Sequence, residues 1–298
     1  KQALETTHKG RDYIIDNVIL KAIPAPRAEV CAYAPKMITM HIKTEKIREV
    51  IGKGGEVIQK IQADYGVKID IVPLKSDFTV GVEDYEGIKR TVFIANPNAP
   101  TGIALSADKI AVLAAQDEHR LVVVDEAYVD FGGETAAGLI KTAQNVVVVR
   151  TFSKSRSLAG GRLGYILAPE NIARDLERLR NSLNPYNVNS VTLAMGKASV
   201  ADDAYFRRNL ERVIAEREKT ADGLKKIGFK VLKSAANFLF VSPPDGDGKR
   251  LYEELRARNI LVRYFDTERL KAFCRISVGD KNATNRLLAA AREIYRPE

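Results

Sequence analysis

From about residue 91 onward, continuous runs of Val and Ile alternate with amphipathic stretches, and this alternation limits the folds that the chain can adopt. The apolar runs are TVFIAN, RLVVVDEA and NVVVVR, and the stretches between them are SADKIAVLAAQDEH and ETAAGLIKTA. Strands that are apolar throughout are typical of a parallel sheet that is covered on both faces. The sequence therefore predicts an α/β fold, with a mostly parallel sheet, helices on both faces, and Ser106 as the N-cap of the first of these helices.

A smaller C-terminal α/β domain with its connecting helices is predicted over residues 183–298, which leaves 72–182 for the larger domain. A helix in PENIARDLERLRNSL leads to the smaller domain. The predicted helices of the smaller domain cover about 188–228 and 247–258, and its predicted strands are KVLKS, NFLFVS, ILVRYF and CRISVG. The turns between elements are marked by glycines.

Residues 1–71 do not show this alternation of apolar runs and amphipathic stretches. A helix and a Pro/Ala linker are predicted over 1–36, and 37–71 reads MITMHIK as a strand, KIREVIGKGGEVIQKIQADYG as a helix–turn–helix, and VKIDI as a second strand. This order resembles the first part of a KH domain, in particular the KH region of polynucleotide phosphorylase, and the resemblance implies that Gly52, Lys53, Gly54 and Gly55 contact single-stranded RNA. The third strand and third helix of a KH domain are missing, so a helical hairpin that only covers the sheet is an equal alternative.

Composition narrows the function classes. The net charge of +9 is spread along the chain and does not mark a nucleic-acid-binding face. Cys31 and Cys274 are far apart and no histidine pairs with them, so we expect reduced thiols, no metal site and a cytoplasmic location. No apolar run is long enough for a membrane span, and no signal peptide is predicted.

Three polar residues follow predicted strands at similar spacings. Asn98, Asp125 and Lys154 are 27 and 29 residues apart, which is about one strand–helix–strand unit each. Because ligands of parallel sheets bind beyond the carboxyl ends of the strands, we expect the three side chains on one edge of the sheet.

These residue types suit pyridoxal 5'-phosphate. Lys154 offers an amine for the cofactor aldehyde, Asp125 a carboxylate for the pyridine nitrogen, and Tyr128 a partner for the phenolic oxygen. The cofactor phosphate needs hydroxyls and a cation, which are available at Thr151, Ser153 and Arg162. Each residue alone also has an ordinary explanation: Asp125 as a strand-end acid, Lys154 as a surface lysine, Tyr128 as a core residue.

The segments NPNAPTG, VVVDEAYVDF, RTFSKSRSLAGGRLGY and CRISVG, from about Val72 to the end, resemble histidinol-phosphate aminotransferase, a fold-type I pyridoxal-phosphate enzyme. The resemblance implies that Lys154 binds the cofactor covalently and moves a proton on the substrate. It also implies that Asp125 pairs with the ring nitrogen, that Tyr128 and Asn98 bond the phenolic oxygen, and that Ser153 and Arg162 hold the phosphate. Many relatives have Asn where this chain has Ala99, so Asn98 would have to take over that contact.

The same resemblance implies the substrates. Arg275 resembles an arginine that grips the substrate carboxylate, Arg263 a second substrate-anchoring arginine near the phosphate, and Asn187 a residue close to the site. The implied reaction passes an amino group between histidinol phosphate, a phosphorylated amino alcohol, and the 2-oxo acid 2-oxoglutarate, in a homodimer. The products are imidazole acetol phosphate and glutamate.

The two resemblances meet near Ile71–Pro73, so the chain is interpreted as a chimera-like join of a partial KH segment and an aminotransferase. The join displaces the family's N-terminal phosphate-binding loop, and we expect impaired activity. The alternatives left open are single-stranded RNA binding, an inactive structural chimera, and a related decarboxylase that acts on a phosphorylated amino acid.

Overall fold

The computed structural model describes residues 2–22, 24, 25, 66 and 68–295, and the chain divides into two compact units, 1–71 and 72–298. In the first unit, the predicted N-terminal helix is present as α1 (Gln2–Ile14), a π-helical turn (Ile15–Ile19) and α2 (Leu20–Ala22). The strand predicted at 67–71 was wrong for the described residues 68–71, which have no regular secondary structure. The apolar pattern of so short a run is also compatible with an extended segment outside any sheet.

The second unit contains the predicted mostly parallel sheet. Its strands follow the chain in spatial order and comprise β1 (Val92–Ala95), β2 (Val122–Asp125), β3 (Val146–Thr151) and β4 (Gly164–Leu167). The first three are parallel and β4 runs antiparallel to β3. The carboxyl ends of β1, β2 and β3 therefore lie on one edge of the sheet, and the predicted α/β class with a mostly parallel sheet is confirmed.

The two faces of this sheet have different surroundings. Even-numbered residues of the parallel strands, including Val92, Val122 and Val146, pack in a buried cluster with helix α3 (Ala107–Ala115). The Ser106 side chain caps α3 as predicted, because it accepts a hydrogen bond from the backbone N–H of Lys109 at 3.4 Å. Odd-numbered residues face the other way, and Phe93 among them is 76% exposed. On this face the exposure differs between strands, because Val147 of the inner strand β3 is only 4% exposed, whereas Phe93 lies on the edge strand β1.

Three helices follow β4 and lead to a second sheet. They are α4 (Glu170–Leu183), α5 (Ser190–Ala201) and α6 (Asp203–Ile227). The long helix predicted over 188–228 is thus interrupted at Asp202, whose carboxylate caps α6 by accepting from the N–H of Tyr205 at 3.1 Å. Likewise, the helix predicted in ETAAGLIKTA is a 3₁₀ helix, Ala136–Lys141.

The second sheet is antiparallel, with the order β5-β6-β8-β7, and carries helices α7 (Gly248–Ala257) and α8 (Lys281–Tyr295) on one face. Its strands are β5 (Lys230–Val231), β6 (Phe238–Ser242), β7 (Arg263–Tyr264) and β8 (Cys274–Ser277). Leu239, Val241 and Ile276 pack against α6, α7 and α8, whereas Phe240 lies in a separate aromatic cluster. The side chains of β6 and β8 therefore alternate between a helix-covered face and the face that carries Phe238 and Arg275.

One buried arginine joins the two sheets. The Arg217 guanidinium on α6 donates to the backbone carbonyls of Phe131, just after β2, at 2.7 Å and Ala236, just before β6, at 2.9 Å. This bridge fixes the start of β6 beside the turn that follows β2. No described helix is long and apolar enough to cross a bilayer.

Candidate active site

Lys154 lies in the loop after β3, and its amine is close to the turn after β2. The Lys154 Nζ is 5.4 Å from the centroid of the Tyr128 ring. A cation at that distance is attracted to the face of an aromatic ring. The structure thus brings together two of the residues that the sequence singled out.

Asp125 is the last residue of β2 and lies on the odd-numbered face of the sheet. Its register neighbours are Ala95 on β1 and Val149 on β3. Its exposed carboxylate accepts a hydrogen bond from the N–H of Ala127 at 3.0 Å. Asp125 is therefore accessible to a ligand above this edge, one strand away from the Lys154 loop.

The predicted phosphate-binding residues lie in the same loop or just after it. Thr151 accepts from the N–H of Ser153 at 3.1 Å and donates to the carbonyl of Leu163 at 3.4 Å, so its hydroxyl helps to fold the loop. Arg162 has a left-handed backbone with φ of 51°, and its exposed guanidinium donates to the carbonyl of Ala159 at 3.2 Å. Of this group, only Thr151 and Ser153 are linked directly to each other.

Asn98 follows β1, but its contacts are local. Its side-chain oxygen accepts from the Thr101 hydroxyl at 2.9 Å, and its backbone pairs with Gly102 and Ile103. The neighbouring Asn96 is buried and uses its side chain to bind both backbone groups of Leu105. Among the described residues, no hydrogen bond joins Asn98 to Lys154 or Tyr128, so its role toward the cofactor ring stays a prediction.

Arg275 reaches the site through two aromatic rings. Its guanidinium carbon is 5.1 Å from the centroid of the Phe238 ring, and that ring meets the Tyr128 ring edge to face at 5.1 Å. A continuous series of contacts therefore runs from Lys154 through Tyr128 and Phe238 to Arg275. The Arg275 Nε is buried and has no hydrogen-bond partner in the described structure.

Arg263 is the register partner of Arg275 across β7 and β8. Directly opposed residues of an antiparallel pair have their side chains on the same face, so the two guanidinium groups share one face of the second sheet. Arg263 is exposed and lies 5.5 Å from the ring of Phe265. Two cations on one face are suited to a ligand with more than one anionic group.

The remaining predicted residues are not brought to this site. Asn187 is exposed in the connection between α4 and α5, and no hydrogen bond or ring contact within the described ranges joins it to Lys154. Gly52, Lys53, Gly54 and Gly55 lie outside the described residues, as do the strand predicted in MITMHIK and Cys31. The RNA-binding hypothesis therefore has no support from the described part of the chain.

A polar network under the site was missed by the sequence analysis. The fully buried Glu126 carboxylate accepts from the Arg150 Nε at 2.8 Å, from the Thr135 hydroxyl at 2.9 Å and from the N–H of Ala136 at 2.5 Å. Arg150 also donates to Asp130 at 2.9 Å. The available signal was the unusual density of charge in DEAYVDF and VVVVRTFSK, because charged residues next to buried strands need partners.

The geometry defines an α/β protein with a lysine and a tyrosine close together at the carboxyl ends of parallel strands, and with an exposed carboxylate at the end of β2. The family model for aminotransferase class I and II matches residues 57–291. The chain belongs to this family. The match begins ahead of Val72, where the sequence analysis placed the boundary, and so includes residues that were assigned to the KH-like segment.

Individual relatives agree with this membership. The chain is 42% identical over 230 residues to histidinol-phosphate aminotransferase 1 of Bradyrhizobium diazoefficiens, covering 77% of this chain and 66% of that protein. It is 42% identical over 229 residues to histidinol-phosphate aminotransferase of Acinetobacter baumannii, covering 77% of this chain and 63% of that one. The chain thus spans less than two thirds of the length of these relatives.

A solved structure is also similar. The crystal structure of histidinol-phosphate aminotransferase from Sinorhizobium meliloti in complex with pyridoxal-5'-phosphate matches with a TM-score of 0.70 and 25% identity. The match covers 80% of this chain and 67% of that chain.

Proposed function

We propose that this chain carries the lysine site of a pyridoxal-phosphate-dependent histidinol-phosphate aminotransferase. The proposed reaction converts histidinol phosphate and 2-oxoglutarate to imidazole acetol phosphate and glutamate. The observation that supports it most is the continuous contact from Lys154 through Tyr128 and Phe238 to Arg275. Similarity to two named histidinol-phosphate aminotransferases supports the choice of substrate.

The chemistry of the site fits the cofactor. Lys154 supplies an amine, the exposed Asp125 a carboxylate at the neighbouring strand end, and Tyr128 a phenol, while Arg275 has a buried N–H without a partner. A buried donor without a partner costs free energy, and an anion that accepts its hydrogen bond would remove that cost, so the Arg275 N–H is consistent with a ligand here. When bound, pyridoxal phosphate would supply an electron sink for the bond-breaking step.

Each residue has a proposed task. Lys154 would attach to the cofactor aldehyde and, once released by substrate, move a proton on the carbon that bears the amino group. Asp125 would accept a hydrogen bond from the ring nitrogen, and Tyr128 would donate to the phenolic oxygen. Ser153 and Arg162 would bind the cofactor phosphate, with Thr151 shaping the loop that carries them.

The two arginines would determine which substrates bind. The planar guanidinium of Arg275 suits a carboxylate in a two-bonded arrangement, which is the group that 2-oxoglutarate and glutamate present. Arg263, on the same face, would attract the phosphate of histidinol phosphate. The same site must accept both substrates in turn. Two neighbouring cations would allow it to bind the carboxylate of one substrate and the phosphate of the other.

The test is covalent trapping. The chain is mixed with pyridoxal 5'-phosphate, its visible absorption is recorded, the adduct is reduced with borohydride, and the labelled peptide is identified. We expect a visible band and label on Lys154, and loss of both in Lys154→Ala, whereas Lys109→Ala serves as a control that removes another lysine. A label spread over surface lysines, with no band, would refute the proposal.

Activity is measured separately. Glutamate formation from histidinol phosphate and 2-oxoglutarate would support aminotransfer. Release of CO₂ from a phosphorylated amino acid, without glutamate formation, would instead favour the decarboxylase alternative. We expect activity below that of full-length relatives, because the chain spans 66% or less of the first relatives that it matches.

We also propose a homodimer in the cytoplasm. The amphipathic helix α4 has no buried residue, and the apolar side chains of Leu183 and Tyr186 at its end are 85% and 89% exposed. Apolar surface of this kind is typical of an interface, and a second copy of the chain is the proposed occupant. Sedimentation at micromolar concentration would contradict the dimer if only the 33.0 kDa monomer were found, and cell fractionation would test the location.

A further inference from the structure

We infer that Asp130 and Ser155 are positioning residues for Lys154. Their hydrogen bond joins the lysine loop, residues 152–163 between β3 and β4, to the turn that carries Tyr128. The inference deepens the proposed function and rests on it, since it concerns how Lys154 is presented to pyridoxal phosphate. It concerns no contact with substrate or cofactor.

The Asp130 carboxylate accepts hydrogen bonds from residues on both sides of Lys154. One oxygen accepts from the Ser155 hydroxyl at 2.5 Å, and the other from the Arg150 Nη1 at 2.9 Å. Ser155 directly follows Lys154, and Arg150 precedes it by four residues on β3. A single carboxylate thus holds both flanks of the reactive residue.

The same carboxylate lies in the turn after Tyr128. Asp130 is the middle residue of the 3₁₀ turn Val129–Phe131, whose two outer residues are buried. The Tyr128 ring packs against Phe238. Because Tyr128 and Asp130 are two residues apart in a fixed turn, a bond to Asp130 also fixes the distance between the lysine loop and the Tyr128 ring.

Arg150 is itself held rigidly. Its Nε pairs with the fully buried Glu126, and its Nη2 donates to the Thr135 hydroxyl at 2.9 Å. Glu126 and Arg150 belong to the even-numbered, covered face, whereas Asp125 and Thr151 belong to the other face, because side chains alternate along a strand. The network therefore contacts the loop from the even-numbered face and does not occupy the odd-numbered face, where Asp125 lies.

The loop backbone is closed by its own hydrogen bonds. The N–H of Ser157 donates to the carbonyl of Lys154 at 3.1 Å, and the N–H of Leu158 to that of Phe152 at 2.9 Å. The backbone of Lys154 is thus fixed, while its long side chain is exposed. Anchoring the base of such a side chain raises the effective concentration of its amine at the cofactor aldehyde.

The experiment separates positioning from intrinsic reactivity in the full chain. Two quantities are measured for Lys154: the equilibrium constant for attachment of pyridoxal 5'-phosphate, and the rate of acetylation by acetic anhydride without cofactor, both by peptide mapping. Acetylation depends on exposure and basicity, whereas cofactor attachment also depends on where the amine lies. Thermal unfolding by circular dichroism monitors the fold.

The variants are Ser155→Ala, which removes the hydroxyl, and Ser155→Thr, which keeps it. Ser106→Ala is the matched control, because it removes a serine hydroxyl that caps α3 in the same unit without touching the lysine loop. In Ser155→Ala we expect roughly a tenfold loss of cofactor attachment at Lys154, which is the size of one charge-assisted hydrogen bond. Acetylation should stay unchanged, Ser155→Thr should restore attachment, and Ser106→Ala should attach like wild type.

Three results would overturn the inference. These are attachment in Ser155→Ala within twofold of wild type, an equal loss in Ser106→Ala, or a parallel fall in acetylation. If Ser155→Ala does not fold, Asp130→Asn decides, since it preserves size but removes the charge and leaves one acceptor oxygen for the two donors Ser155 and Arg150. Weaker attachment then supports the inference, and unchanged attachment overturns it. If Lys154 carries no label in the wild-type chain, the proposed function fails, and this inference fails with it. If Lys154 is labelled in the wild-type chain and the variants do not change that labelling, only this inference fails.

Discussion

Replacing Arg150 by Met should destabilise the protein strongly, because it leaves a buried carboxylate without its cation. The Glu126 side chain is fully buried, and the Arg150 side chain is only 15% exposed. In Arg150→Met, Glu126 would keep its bonds from Thr135 and Ala136 but lose the one from Arg150. Removing one partner of a buried ion pair costs about 3–5 kcal/mol.

That cost is a large share of the free energy of unfolding, which is about 5–15 kcal/mol for a typical protein. With a urea dependence of about 2–3 kcal/mol per molar, the midpoint should fall by about 1–2 M. Urea unfolding followed by far-UV circular dichroism is the appropriate assay, since the chain has no tryptophan. The exposed pair Arg174–Glu170 provides the control, and Arg174→Met should change the midpoint little.

A double-mutant cycle tests the cause. Glu126→Gln removes the buried charge, so the double variant Glu126→Gln/Arg150→Met should be less destabilised than the sum of the single variants, by about 1–3 kcal/mol. Strictly additive losses, or a loss below about 1 kcal/mol in Arg150→Met, would refute the argument that Arg150 is needed to neutralise Glu126.

Two further predictions concern the second sheet. Burial raises the pKa of the Cys274 thiol to about 12, so its modification at pH 8 should be far slower in the native chain than in urea. Burial of the neutral thiol contributes to stability in full below the ordinary thiol pKa of about 8.5. This contribution should be lost as the pH rises from the ordinary pKa to the raised one. Equal native and denatured rates for the Cys274 peptide would contradict this. Phe240 is fully buried and stacks on Phe273 at 4.8 Å, so Phe240→Ala should cost about 3–5 kcal/mol in urea unfolding, whereas Phe93→Ala, at an exposed ring, should cost little. Similar losses in both variants would show that burial does not set the cost.

Local patterns in the sequence were sufficient to predict most of the helices and strands after residue 91 and the polar residues at their ends. Uninterrupted valines at 122–124 and 146–149 have no stable place except inside a covered sheet, and Ser106 offers an oxygen to the free N–H groups of a helix start. Asp125 and Lys154 follow these strands directly, so parallel pairing alone puts them on one edge. These features are local, which is why periodicity and spacing were sufficient to predict them.

Contacts between side chains that are distant in the sequence could not be predicted from such local patterns. Phe238 lies between Tyr128 and Arg275 because the buried Arg217 joins Phe131 to Ala236, and no local pattern encodes a contact across about a hundred residues. The neighbours Asp125 and Glu126 face opposite sides of the sheet, and this alternation separates a ligand-facing carboxylate from one that holds Arg150. The strand predicted at 67–71 shows the same limit, since the pattern of five residues does not by itself distinguish a strand from an extended segment outside a sheet.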